Sequence, residues 1–381
     1  MKQLIGTVLL LSTFNSYSQD IGFARKMVDT LSSPTFWGRG YTNDGMKKAG
    51  LFLAEQFRNI GLEPLAKNYQ QPFTYPVNTF PGKMELSLNG KTMVPGKDFI
   101  VSPESRGVKA NGRLEQADSI QYINRENKVI IKVADKLTWS VAHEEVGFTI
   151  IIVDKKSIPP AMSDFKINIE NEFEKSFKAF NVAGIVKGTK KPDSVIMITA
   201  HFDHLGGMGK DTYFPGANDN ASGLALLLNL ARYYAAHPAH YSIAFVCFAG
   251  EEAGLIGSKY YTEHPLLPLK QVRFLLNTDL AGTGEEGITV VNASEFPKEY
   301  ILLNKVNDEK KLLAKINARG KAANSDHYFF TEKGVPAFFF YTLGGIKAYH
   351  DIYDKAETLP LTEHEDLFKL VVGFNEKLMG N

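Results

Sequence analysis

The second half of the chain alternates short apolar runs with amphipathic helices, and glycine-rich loops separate them. The apolar runs lie at residues 194–200, 243–248, 274–276 and 337–341, and the helical segments lie at 222–234 and 361–378. Near-continuous apolar runs of this length are typical of strands that are buried on both faces. Their alternation with helices favours parallel strand pairing. We therefore predict an α/β fold in which a mostly parallel, twisted sheet is flanked by helices.

The first half of the chain divides into two regions of different composition. Residues 20–65 carry apolar side chains at helical spacing, and Gly61 is predicted to end a helix. From about 70 to 177, prolines and glycines separate short alternating runs, and β-branched residues at 128–133 and 148–153 predict strands. We interpret this second region as a β-rich insertion.

The N-terminal residues have the pattern of an export signal. Lys2 supplies a positive charge, residues 4–14 an apolar segment, and residues 16–18 (Ser-Tyr-Ser) a small-x-small cleavage site. A buried N-terminal helix is the alternative. We predict cleavage before Gln19 and export to a periplasm or the extracellular space. The predicted division is a signal peptide at 1–18, a main domain at 19–69 and 178–381, and the insertion at 70–177.

Charge and cysteine content exclude several classes of protein. The 43 basic and 42 acidic residues give a formal net charge of +1, which offers no electrostatic footprint for nucleic acid or an anionic membrane. No segment after the signal reaches the roughly 18 apolar residues of a membrane span. The single cysteine, Cys247, lies within an apolar run, so we expect a buried side chain there and no thiol nucleophile. The oligomeric state stays open.

Five histidine and acidic side chains stand where apolar runs give way to loops or where a loop meets a helix. They are His201, Asp219, Glu252, Asp279 and His350. In open α/β sheets, ligands bind outside the carboxyl ends of the strands, and buried carboxylates need a compensating charge. Imidazoles and carboxylates without a thiolate suit catalytic zinc. We predict two zinc ions, which would polarise a carbonyl and activate water. If Asp219 bridges the two ions, each of them keeps room for a water.

Two further carboxylates are candidates for supporting roles. Asp203 follows His201 at i+2, so in an extended segment the two side chains face the same side, and we expect Asp203 to orient the imidazole. A plain surface residue is the alternative. Glu251 precedes Glu252 and is expected to point elsewhere, which makes it the candidate general base.

The remaining histidines are expected to be surface or structural residues rather than ligands. His204 belongs to this group. His327 is a candidate for the wall of the pocket, outside the set of metal ligands.

Several blocks of the sequence resemble the zinc aminopeptidases of peptidase family M28. They are residues 198–203, 215–223, 248–258, 277–282 and 325–327, and Tyr349-His350 with Asp354. The blocks occur in the family's order over roughly 181–381, and Gly38-Arg39 also resembles the family. The resemblance implies a zinc exopeptidase fold of the phosphorylase/hydrolase-like type. It also implies a metalloaminopeptidase with two zinc ions, acting on peptides with a free N-terminus.

The resemblance also implies roles for individual residues. One zinc ion would be completed by His201 and Asp279, the other by Glu252 and His350, with Asp219 bridging. Glu251 would take a proton from the bridging water and deliver it to the leaving amine, and Asp203 would orient His201. Tyr349 matches a tyrosine that stabilises the oxyanion in some members, with packing as its alternative role. Related exported enzymes often carry a protease-associated domain in the middle, and residues 128–154 have its strand–helix–strand pattern.

Two alternatives keep the fold and change the function. A glutaminyl cyclase, a related zinc acyltransferase that usually retains one metal, shares many of the acidic positions. Residues 220–223 and the Tyr349-His350 pair resemble the peptidases instead, since the cyclases tend to have a tryptophan before the last histidine. A non-catalytic binding protein usually loses ligands or the base, and this chain retains every one. The preferred N-terminal residue stays open.

Overall fold

The computed structural model describes residues 20–159 and 162–380. The predicted signal peptide and its cleavage site lie outside these residues, so export stays a prediction. Within the described ranges, no helix has both the length and the apolar character needed to cross a bilayer. The described part of the chain contains seven α-helices: Ile21–Leu31 (α1), Gly45–Ile60 (α2), Gly223–Ala236 (α3), Ile256–Glu263 (α4), Pro297–Lys310 (α5), His327–Glu332 (α6) and His364–Leu378 (α7).

The strands fall into a main sheet, two accessory sheets and a short hairpin. In the main sheet they are Glu63–Pro64 (β1), Gln70–Thr79 (β2), Glu172–Val186 (β12), Lys191–His201 (β13), Tyr241–Phe248 (β16), Val272–Thr278 (β17), Ile288–Val291 (β18), Ile316–Ala318 (β19) and Ala337–Thr342 (β20). Elsewhere they are Met84–Leu88 (β3), Lys91–Met93 (β4), Phe99–Val101 (β5), Val108–Arg113 (β6), Glu115–Gln116 (β7), Gln121–Asn124 (β8), Val129–Ala134 (β9), Thr149–Asp154 (β10), Asp164–Ile169 (β11), Gly207–Met208 (β14) and Thr212–Tyr213 (β15).

The main sheet is mixed, and its centre is parallel. The order β16-β13-β17-β20 places the four predicted apolar runs side by side, and each pair is parallel. The antiparallel strands β12 and β18 flank this centre. The predicted α/β class is therefore confirmed. The carboxyl ends of the four central strands share one edge of the sheet.

Helices cover both faces of the main sheet, because its central strands expose apolar side chains alternately to each side. Ile196 and Ile198 of β13 pack in one core with the apolar faces of α1, α2, α3, α5 and α7. Val195 and Met197 pack on the other face with α4 and α6. The predicted helices in residues 20–65 are confirmed as α1 and α2, and Gly61 ends α2 with a positive φ of 91° that suits glycine.

Strands β3 to β11, within residues 84–159 and 162–169, form the two accessory sheets, and the long antiparallel pair β2–β12 of the main sheet leads into and out of them. Both predicted strands are confirmed as β9 and β10, which pair in parallel. The described residues between them, 135–148, contain no helix, so the strand–helix–strand pattern was wrong there. The physical reason is tertiary: this segment buries Leu137 and Trp139, and its main chain hydrogen-bonds to distant parts of the chain instead of forming helical hydrogen bonds.

The accessory sheets share a hydrophobic core with a loop of the main region. Phe214, from the loop before α3, packs with β-strand residues such as Phe99 and Phe165. This common core fixes the accessory sheets beside the edge of the main sheet where the central strands end.

Candidate metal centre

The structure brings all five predicted ligands together at the carboxyl edge of the main sheet. His201 ends β13, Glu252 and Asp279 follow β16 and β17, Asp219 precedes α3, and His350 lies in the loop after β20. The Nε2 atom of His201 lies 3.4 Å from Asp219 Oδ1 and 3.2 Å from Asp279 Oδ2. The Nε2 atom of His350 lies 3.1 Å from Asp219 Oδ2 and 3.3 Å from Glu252 Oε2. Asp219 therefore presents one oxygen to each histidine.

These separations fit two tetrahedral metal ions. Two donors bound at about 2.0–2.1 Å to one tetrahedral zinc ion lie roughly 3.3 Å apart. Both histidine-centred groups have that spacing. Asp219 Oδ1 is moreover buried without a hydrogen-bond partner in the described part of the chain, as expected of an oxygen that faces a cation. The donor set and its spacing suit zinc.

The centre is strongly acidic. Seven carboxylates lie buried or half-buried in and around it: Asp203, Asp219, Glu251, Glu252, Asp279, Asp326 and Asp354. Burial lowers the pKa of each histidine, but these carboxylates outweigh it and raise the pKa of His350 to about 11 and that of His201 well above its usual range. The pocket thus stabilises positive charge at the ring nitrogens, where a metal cation would be bound.

Arg39 ties the loops of this centre together. Its side chain is fully buried, and its guanidinium donates five hydrogen bonds to main-chain carbonyls. The acceptors, at 2.8–3.0 Å, are Leu31, Phe202, Pro215, Gly216 and Asp219. The sequence suggested Arg39 only through the family resemblance; its function as a cross-link depends on contacts that no local pattern encodes.

Asp203 lies beside His201 as predicted, but its carboxylate does not hold the imidazole. The Nδ1 atom of His201 is 3.1 Å from the main-chain carbonyl of Asp203 and 4.0 Å from the nearest carboxylate oxygen. The carboxylate instead accepts the backbone N–H groups of Glu251 and Glu252, at 3.0 and 3.2 Å, and the hydroxyl of Tyr41 at 3.1 Å. The side chain of Asp203 therefore fixes the loop after β16.

Glu251 and Glu252 are adjacent in sequence and differ in environment. Glu252 faces His350 and His204; burial raises its pKa, but these imidazoles outweigh burial and bring it to about 2. Glu251 lines the pocket, where burial raises its pKa well above the usual range although His201 opposes the shift. The first environment suits an ionised metal ligand, and the second suits a group that accepts and holds a proton.

Tyr349 lies at the rim of the pocket, with 43% of its surface exposed. Its ring stacks on the imidazole of His350, with centroids 3.9 Å apart and planes 14° apart. This position is compatible with both predicted roles, packing and stabilisation of an oxyanion.

Of the two alternatives expected for His204, surface or structural, the structure shows the structural one. It is fully buried, and its Nδ1 atom lies 2.7 Å from Glu252 Oε1. That distance is typical of a hydrogen bond and shorter than the 3.1–3.4 Å between the predicted metal donors. His204 thus donates to Glu252 rather than sharing its ion. The signal that could have found it is its place one residue after Asp203, next to apolar Leu205.

The sequence did not reveal two further contacts that hold the predicted ligands, and His327, the predicted wall residue, lies outside the pocket. The carboxylate of Asp354 accepts the N–H groups of Asn218 and Asp219 at 2.8 and 3.0 Å and so fixes the bridging residue. The main-chain carbonyl of Trp139 lies 2.9 Å from His350 Nδ1. His327 is buried against Phe339 and does not line the pocket.

The pocket above the candidate ligands has a volume of about 230 Å³. Besides the five ligands and Glu251, it is lined by Leu280, Arg319, Asn324, Phe339, Tyr341 and Tyr349. This volume is below the roughly 300–1,000 Å³ of typical small-molecule sites. The pocket is therefore of a size for one amino-acid residue rather than an extended segment.

The fold and this centre define a class of protein. The family model described as Peptidase family M28 matches residues 181–374, just over half of the chain. The chain belongs to peptidase family M28.

Curated relatives include aminopeptidase YwaD of Bacillus subtilis, which is 27% identical over 288 residues, or 74% of this chain and 56% of YwaD. A probable leucine aminopeptidase of Arthroderma otae is 29% identical over 54% of this chain and 60% of its own length. A probable zinc metalloprotease of Pyricularia oryzae is 39% identical over 29% of this chain and 23% of its own length. The chain thus spans less than two thirds of these relatives.

Solved structures resemble nearly the whole chain. A zinc aminopeptidase from Bacillus subtilis, BSAP, aligns over 95% of both chains with a TM-score of 0.70 and 18% identity. An aminopeptidase from Aneurinibacillus sp. strain AM-1 aligns over 94% of both chains with a TM-score of 0.66 and 18% identity. At this identity the likeness establishes the fold.

Proposed function

We propose that this protein is a zinc-dependent aminopeptidase with two zinc ions. The observation that carries the proposal is the convergence of five donors in two groups that share Asp219, with Glu251 beside them in a residue-sized pocket. Several of the similar proteins are named zinc enzymes, and several are named aminopeptidases. Imidazole and carboxylate donors without a thiolate agree with that metal.

The residues of the chain divide the reaction between them. When bound, the two zinc ions would polarise the scissile carbonyl and make water more acidic. Glu251 takes a proton from the attacking water and passes it to the leaving amine, which its position in the pocket and raised pKa support. Tyr349 at the rim hydrogen-bonds the developing oxyanion through its hydroxyl.

The pocket also supports attack at the first peptide bond. Its volume of about 230 Å³ accommodates one residue and leaves the rest of the peptide outside. The predicted signal sequence would place this activity outside the cytoplasm, in a periplasm or the medium.

Peptide chemistry distinguishes this function from the two alternatives. We would incubate the purified protein with aminoacyl-anilides and with a peptide that begins with glutamine, before and after chelation and after zinc return. We expect anilide cleavage that is lost on chelation and recovered with zinc. Loss of ammonia from the glutamine peptide without shortening would instead indicate a cyclase, and no reaction of either substrate would indicate a binding protein.

The general base is tested by Glu251→Gln. The amide cannot accept the proton, so kcat should fall by roughly 10²–10⁴-fold while both zinc ions remain bound. Turnover and zinc content are measured together, and Glu126→Gln, an exposed glutamate, is the control. Normal turnover in Glu251→Gln would refute the assignment.

A further inference from the structure

The inserted segment touches a candidate metal ligand through its main chain. The N–H of Trp139 donates to the carbonyl of His350 at 2.9 Å, and the Nδ1–H of His350 donates to the carbonyl of Trp139 at 2.9 Å. The other ring nitrogen of His350 faces Asp219 and Glu252. A carbonyl in this position fixes both the tautomer and the orientation of a metal-binding imidazole.

Trp139 is itself fixed by the accessory sheets. Its indole is buried, and Nε1 donates to the carbonyl of Val101 in β5 at 2.7 Å. Its ring stacks on Phe214 with a centroid distance of 4.6 Å. The carbonyl that holds His350 therefore cannot move without disturbing the common core of the insertion and the main region.

Lys136 makes a second connection to the same loop. Its ammonium lies 3.5 Å from Asp351, whose carboxylate is largely buried, and donates to the carbonyl of Lys347 at 3.2 Å. His350 has a positive φ of 53°, a conformation that non-glycine residues keep only when their surroundings hold it. Lys136 of the insertion thus contacts the His350 loop on both sides of the histidine, at Lys347 and at Asp351.

The candidate metal position formed with His201 does not depend on the insertion in this way. The Nδ1 atom of His201 is held by the carbonyl of Asp203, two residues along the same chain segment. The two positions therefore differ in how their histidines are supported, although both use Asp219.

We propose that residues 136–139 of the insertion position His350 and thereby set the metal affinity at the position formed with Asp219 and Glu252. This inference rests on the proposed two-zinc function. The insertion is then a determinant of metal occupancy, and Trp139 and Lys136 are positioning residues. Loss of the contact that orients a metal-binding histidine typically weakens affinity about 10–100-fold.

The test measures both zinc affinities of the full-length protein by titration against a competing chelator. In Trp139→Ala, one of the two ions should be held about 10–100-fold more weakly, with the other nearly unchanged. In Lys136→Met, the same ion should be weakened roughly two- to fivefold, because a half-exposed ion pair contributes less.

Two control variants separate positioning from general loss of stability. Phe165→Leu perturbs the same accessory core, and Lys155→Met breaks an exposed ion pair with Asp135; both should bind zinc as the wild type does. Equal weakening of both ions, or equal loss in Phe165→Leu, would overturn the proposal. If Trp139→Ala does not fold, unchanged affinities in Lys136→Met overturn it. A wild type with fewer than two zinc ions would instead refute the two-metal site.

Discussion

At the scale of the residue, Glu252 is shared between two imidazoles with different tasks. Its Oε2 atom faces His350 across the candidate metal position, and its Oε1 atom accepts a hydrogen bond from His204. A carboxylate held in this way offers one oxygen to a metal and keeps the other occupied. His204 therefore supports a ligand rather than acting as one.

This arrangement predicts the effect of His204→Ala. Without the donor, the Glu252 carboxylate is free to rotate, and zinc should be held about 10–100-fold more weakly at this position. His204→Gln, which keeps an N–H donor, should recover part of the loss. Zinc titration against a competing chelator measures both variants. Equal affinities in His204→Ala and the wild type would contradict the role.

At the scale of the element, two loops cross at very close range beneath the centre. A Cβ atom on Gly40 would lie 2.2 Å from Gly206 Cα, and the main-chain N–H of Gly206 donates to the carbonyl of Gly38 at 3.1 Å. This crossing brings Arg39 under the loop that carries Asp219. Only glycine allows the two backbones to approach so closely.

Gly40→Ala should therefore destabilise the protein. The new methyl group meets backbone, which cannot rotate away, so we expect a loss of about 1–3 kcal/mol in the free energy of unfolding. Gly147→Ala is the matched control, because an added Cβ there meets nothing within 4 Å. Urea unfolding of both variants gives the comparison. A Gly40→Ala protein as stable as the control would show that the crossing can relax.

At the scale of the whole molecule, buried histidines outside the centre link stability to pH. His364 at the start of α7 is fully buried, and its Nε2 accepts a hydrogen bond from the amide of Asn229 in α3 at 3.1 Å. Burial, with a smaller contribution from the nearby positive charge of Arg25, lowers the pKa of His364 to about 4. The imidazole is therefore held neutral between two packed helices.

The sign of the pH dependence follows from this shift. Between pH 6.5 and about 4 the unfolded chain binds a proton that the folded chain excludes, so stability falls as the pH falls through this range. Over this pH range, His364 should change the free energy of unfolding by about 3 kcal/mol. In His364→Gln, the free energy of unfolding should fall less between pH 7 and pH 4 than in the wild type. The exposed His143→Gln variant should follow the wild type, and identical slopes in all three would contradict the link.

Much of the main sheet and its helices could be predicted from the sequence, because the patterns that predict them lie within short stretches of the chain. The four central strands are apolar enough to be buried on both faces, and each is followed by the polar side chains that its carboxyl end presents. The convergence of His201 and Asp279, at the ends of β13 and β17, follows from that rule, and the structure brings them together as predicted. The helical and strand segments were predictable for the same reason.

What only the tertiary structure decided are the contacts that hold those ligands. Trp139 supports His350 through a main-chain carbonyl, which every residue possesses and no sequence pattern distinguishes. His204 lies beside Glu252 only because of the path that the chain takes after β13. The same path places the Asp203 carboxylate against the loop after β16 and not against the imidazole of His201. Such contacts join residues far apart in the chain, so their geometry depends on how the sheets and loops pack.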